Sequence, residues 1–153
     1  MNNIMNRKKY LLIFNFLIPL FIAAMIYIGA RPLSLKMFHW VSLLGGNEFL
    51  FIIRQNISQF NHNIPYLIIY NLPSALWIYS YTYIILILWG QERTSVYKKL
   101  WIISVPTLAI VPEFLQKVSL ISGTFDLIDV FGNLLGILFA CSIYKVSFKL
   151  KKL

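Results

Sequence analysis

Four long apolar runs alternate with short polar stretches along the chain, and each is bounded by charge or by proline and glycine. The first, Tyr10 to Ala30, follows Arg7-Lys8-Lys9 and stops at Arg31-Pro32, where the proline disfavours helical geometry in the residue before it. At about 1.5 Å per residue it is long enough to cross a hydrocarbon core of about 30 Å. The apolar region of a cleaved signal peptide spans only about 7 to 15 residues, so this run predicts a retained first helix. Pro19 predicts a kink within it, and Asn15 requires a partner from another helix. No charge occurs from Asn63 to Gln91, which predicts a second spanning helix over 65–89, rich in Trp and Tyr. A third is predicted over 100–121 despite Pro106 and Pro112. A fourth follows over 125–148, where Lys145 and Lys149 can snorkel to the interface.

Residues 33–53 are apolar only in patches, interrupted by Lys36, His39, Gly45-Gly46 and Glu48. They read as an interfacial or re-entrant segment with His39 and Trp40 at headgroup depth, followed by a polar stretch in solvent from Arg54 to Asn63. The predicted fold is a single all-α membrane domain: four transmembrane helices in a bundle, plus that segment between the first and second.

The polar groups that lie inside apolar sequence gather in one place, Pro112 to Ala140. Glu113 and Gln116 stand at i, i+3 near the end of the third helix and point the same way. Asp126, Asp129, Asn133, Gly136 and Ala140 follow at spacings of three and four, within an arc of about 80° at 100° per residue. A polar stripe on an apolar helix must face protein or water. The two stripes are therefore expected to face each other across the loop Ser122, Gly123, Thr124, forming a pocket from Glu113, Gln116, Asp126, Asp129 and Asn133. Thr124 is a suitable N-cap, and Asp126 in a first turn suits the positive end of a helix dipole. Glu113 and Asn133 are expected to approach within direct or single-water hydrogen-bonding reach. Gly132, Gly136 and Ala140 form a small-residue ladder that permits close helix packing.

Composition places the chain in the membrane class: of its 153 residues 59% are hydrophobic and 12% charged. The net charge of +9 comes from short basic clusters that flank apolar runs, a pattern for lipid headgroups and not for nucleic acid. Ten of the 14 basic residues (Arg7, Lys8, Lys9, Arg93, Lys98, Lys99, Lys145, Lys149, Lys151, Lys152) fall on one side if both termini are cytoplasmic. The positive-inside rule then sets the acidic end of the bundle at the outer face of the inner membrane. The single Cys141 excludes an internal disulfide and reads as a small buried hydrophobe. His39 and His62 are isolated, and no cofactor motif is present; the oxygen groups of the pocket would suit only a hard divalent cation such as Mg²⁺ or Ca²⁺. An ionisable group within a membrane is expensive and so a functional candidate, which makes Glu113 and Asp129 the candidates for acid and base work. Interhelical glue is the structural alternative for Glu113, through Gln116 and Asn133.

The order Glu113, Gln116, then the Gly123-Thr124-Phe125-Asp126 loop, then Asp129, Asn133 and Gly136 resembles the signature of the VanZ-like family of small bacterial membrane proteins. RPLSL at Arg31 to Leu35 and NLPSALWIYS at Asn71 to Ser80 are similar to shorter parts of it. Many relatives carry an arginine in the loop and a histidine opening the last helix; this chain has neither. The resemblance implies a cell-envelope protein, some of whose relatives are associated with lowered susceptibility to the glycopeptide teicoplanin, with membrane lipid and a lipid-linked or peptidoglycan-related ligand as partners. A small enzyme acting on a lipid headgroup or lipid-linked phosphate, and a structural subunit of an envelope complex, are the alternatives.

Overall fold

A computed structural model of the chain describes residues 9–61, 65–91, 95–121 and 125–149. Their regular backbone is helical, with no strand among the described residues. The helices are α1 (Lys9–Ala30), α2 (Lys36–Leu43), α3 (Asn47–Asn61), α4 (Tyr66–Tyr70), α5 (Leu72–Trp89), α6 (Val96–Lys117) and α7 (Leu127–Lys149). Three of them, α1, α5 and α7, are long and apolar enough to cross a membrane. With large apolar side chains such as Phe21, Trp77 and Phe139 on their outer surfaces, they make this a membrane protein. Ser122, Gly123, Thr124 and its expected cap, His62, Arg7, Lys8, Arg93, Lys151 and Lys152 lie outside the described residues.

In α1 the helix widens into a π-turn at Ile13–Leu17, just before Pro19, which has no N–H to give to the preceding turn. Asn15 sits in that turn. Its amide donates to the Leu11 carbonyl at 3.1 Å, and its oxygen accepts from the Tyr79 hydroxyl of α5 at 2.8 Å. The partner that an amide in an apolar helix requires thus comes from α5.

The segment after α1 differs from the sequence expectation in length. Two helices form, joined where Gly45 takes φ +78° and its N–H and that of Gly46 cap the carbonyls of Ser42 and Val41. The second, α3, runs on to Asn61, so the expected polar stretch is helical as far as Asn61, with Gln55 and Asn56 exposed and Arg54 and Ile57 half-buried. Arg54 explains the extension: half-buried, it donates to the carbonyls of Ile28 and Arg31 at the end of α1. Ile57 lies against Gly29, where any side chain would collide with it. His39 and Trp40 are exposed, on α2.

The apolar run 65–89 is broken once, at Asn71 (φ −103°, ψ −34°), into α4 and α5. Helix α5 is the hub of the bundle, packing on α1, α6 and most extensively on α7. Pro73, Ser80 and Tyr83 are wholly buried at these contacts. Ser95 caps the start of α6, its hydroxyl accepting from the Lys98 N–H at 3.1 Å. That helix tolerates Pro106 and Pro112 but ends at Lys117, short of the expected 121. The reason is a Schellman turn: Ser119 takes φ 58°, its N–H bonds the Gln116 carbonyl at 3.0 Å, and the Leu120 N–H bonds Leu115 at 2.9 Å.

Contacts at the two ends fix the alternation of direction. Gly90, just after α5, meets the Tyr144 hydroxyl near the end of α7. At the other end, Arg31 after α1 donates to the Tyr70 carbonyl at 2.8 Å, and Asn71 bonds Asp129 near the start of α7. Helix α1 therefore ends where α5 and α7 begin, at the end that also receives the C-terminus of α6.

Candidate functional site

On α6, Val105 and Ala109 are buried and Pro112, Glu113 and Gln116 half-buried, a stripe with spacings of three and four. On α7 the matching stripe is Asp129, half-buried, then Asn133, Gly136 and Ala140, all buried. The small residues decide how close the helices come. A Cβ on Gly136 would stand 2.6 Å from the Ala75 carbonyl oxygen, so α7 lies directly on the backbone of α5 there. One turn earlier the fit is looser, with a Cβ on Gly132 falling 3.5 Å from that of Ala75, an ordinary contact.

Asp126 stands at the threshold of α7, where its carboxylate accepts from the Ile128 N–H at 2.8 Å. It is the N-cap itself, one of the strongly preferred residue types for that position. Asp129, one turn further in, turns to α5: its Oδ1 accepts from the Asn71 amide at 2.8 Å and from the Ser74 hydroxyl at 3.3 Å. Ser74 also donates to the Asn71 carbonyl, so the break between α4 and α5 is built around the carboxylate.

No direct hydrogen bond joins Asn133 to Glu113. The Asn133 amide donates instead to the Ala109 carbonyl at 3.1 Å, one helical turn before Glu113 on the same face of α6. The methyl of Ala109 is too small to hold α7 off the α6 backbone, and a carbonyl already used by its helix keeps a second lone pair for such a donor. The Asn133 oxygen is left buried without a hydrogen bond, as are Glu113 Oε2 and Asn71 Oδ1. The Glu113 carboxyl faces the charges of Asp129 and Asp126 and the backbone amide of Asp126. Gln116, a turn beyond it, hydrogen-bonds none of the other four.

Glu113, Asp129 and Asn133 thus share one end of the bundle, with Asp126 at its edge and Gln116 beside it. Sequence reasoning missed Asn71 and Ser74, the two groups that hold Asp129. The available signal was their i, i+3 spacing at the start of a charge-free run, next to Pro73. Among the described residues no group of three or more His, Cys, Asp or Glu side chains is placed to hold a metal ion. What the end of the bundle offers is a set of oxygen acceptors: one carboxylate fixed by two donors, and three buried oxygens without a donor. No family model, no curated protein and no solved structure matches the chain.

Proposed function

We propose that the chain is a VanZ-like protein of the cell envelope that binds the polar part of a lipid-linked or peptidoglycan-related ligand between α6, α7 and the α4–α5 break. In this reading α6 is a fourth crossing. Its 22 residues span about 33 Å, and it packs on two helices that are themselves apolar enough to cross. The bundle sits in the inner membrane with both termini cytoplasmic, because Lys9, Lys98, Lys99 and Lys145 all belong to the end opposite Glu113. The acceptor-lined end then opens to the outer leaflet.

The observation that carries the reading is the trio of buried oxygens without donors, Glu113 Oε2, Asn133 Oδ1 and Asn71 Oδ1, around the held carboxylate of Asp129. A buried acceptor left unmade costs about 1–3 kcal/mol, so three at one end favour a molecule that brings O–H or N–H groups. Sugar hydroxyls and peptide amides are such donors. The two carboxyl groups also differ in setting, Asp129 held by the Asn71 amide and by a Ser74 proton shared with the Asn71 carbonyl, Glu113 facing the Asp126 backbone amide with its Oε2 bare; this supports the second reading, an enzyme acting on a lipid headgroup with Glu113 and Asp129 as acid and base.

Expression in a teicoplanin-susceptible host tests the proposal. Wild type should lower susceptibility, and Asp129→Leu, which removes the acceptor oxygens, should abolish the effect at unchanged protein level. Glu113→Gln separates the readings, since a binding oxygen tolerates an amide and proton transfer does not. Full activity of Asp129→Leu would refute the pocket.

A further inference from the structure

Arg31 and Arg54 both bond backbone carbonyls around the C-terminal end of α1, with no group of α6 or α7 involved; Arg31 reaches Tyr70, next to Asn71 of the pocket, and Arg54 lies on α3. Arg54 Nη1 donates to the carbonyls of Ile28 at 2.9 Å and Arg31 at 2.8 Å, and Arg31 Nη2 to that of Tyr70 at 2.8 Å. The Arg31 guanidinium carbon also stands 5.3 Å from the Tyr27 ring centroid and 4.5 Å from that of Tyr70, while Arg54 lies 5.7 Å from the Phe38 ring. These contacts hold both cations in place. They do not neutralise them. Among the described residues neither arginine pairs with a carboxylate, and Arg31 Nε is buried with no hydrogen bond.

Two half-buried cations without a carboxylate partner call for an anion. Arg54 opens on a groove of about 530 Å³ lined by Leu33, Asn47, Leu50, Phe51 and Gln55. One guanidinium, two amides and three apolar side chains make an amphiphilic lining. The depth fits as well: α1, apolar enough to cross a membrane, ends at Ala30, so Arg31 stands at the boundary of the hydrocarbon. On the same helical pair Trp40, Leu43, Leu44 and Phe49 are exposed, the surface of a segment lying in the interface.

We infer that Arg54 binds the phosphate of an anionic membrane lipid in this groove, with an acyl chain along Leu33, Leu50 and Phe51. The lipid is favoured over a free anion because the apolar wall of the groove begins at the charged group and continues into lipid-exposed surface. This site stands whether or not the pocket at Glu113 binds a ligand.

Thermal unfolding of the purified full-length protein in a neutral maltoside detergent tests it, with three titrants: phosphatidylglycerol, a diacylglycerol with the same chains, and inorganic phosphate. Phosphatidylglycerol should raise Tm saturably, and the other two should not. Arg54→Gln and Phe51→Glu should each weaken the apparent affinity at least about tenfold. Phe51 is exposed and no part of the α1 cap, so Phe51→Glu should keep the lipid-free Tm and decides the matter if Arg54→Gln fails to fold. An equal shift with diacylglycerol, unchanged affinity in Phe51→Glu, or the full shift with phosphate alone would overturn the lipid site.

Discussion

Asp129 shows how a single side chain organises its surroundings. Its carboxylate takes a hydrogen bond from Ser74 of α5 and another from Asn71, the residue at which α4 and α5 part. Asn71→Leu keeps the branched shape but removes the stronger donor, and should lower stability by about 1–3 kcal/mol, measured as a drop in Tm in detergent. An unchanged Tm would mean that water replaces the amide freely. Ser119 offers the opposite sign. It holds φ 58° at the end of α6, a conformation that costs a residue with a Cβ roughly 1–2 kcal/mol and glycine almost nothing. Ser119→Gly should therefore raise Tm, by at most about 1 kcal/mol of stability. The contrast with Gly45 explains what a sequence can disclose here. Gly45-Gly46 announces its turn by residue type, whereas Ser119 gives no such sign, and the helix expected over 100–121 lies four residues earlier, at Val96–Lys117.

Among the elements, α5 and α7 form the seam on which the others depend. Gly136 and Gly132 occupy the same face of α7 but meet α5 differently, at 2.6 Å and 3.5 Å from Ala75 for an added Cβ. Gly136→Ala should destabilise by about 1–3 kcal/mol, because backbone must give way to the methyl. Gly132→Ala should be neutral or stabilising by up to about 1 kcal/mol through helix propensity alone. Equal effects in a pair of thermal melts would contradict this geometry. Helices α1, α5 and α7 coincide with apolar runs because length and hydropathy suffice to mark a helix in lipid. The break at Asn71 and the course of α3 do not follow from hydropathy. Both depend on hydrogen bonds across the fold, Asn71 to Asp129 and Arg54 to the end of α1, with a partner 58 positions away in the first case and 23 and 26 in the second.

At the scale of the whole molecule, polar chemistry separates by end. Lys98 and Tyr144 lie at one end; Arg31, Asn71, Glu113 and Asp129 lie at the other. Period alone places Asp129, Asn133 and Gly136 on a common face, and that much of the site is legible in sequence. The identity of each partner is not, since Asn133 chose the Ala109 carbonyl over Glu113 for reasons of helix separation. Reporter fusions in the 91–99 connection and at Leu153 should read cytoplasmic and one at Ser122 external; an external Leu153 would invert the orientation. If the oxygens around Asp129 receive a ligand, a density map of the purified protein in lipid, sharp enough to show headgroups, will hold non-protein density within hydrogen-bonding distance of Glu113, Asp129 and Asn133; a map with no such density between α6 and α7 would refute that role.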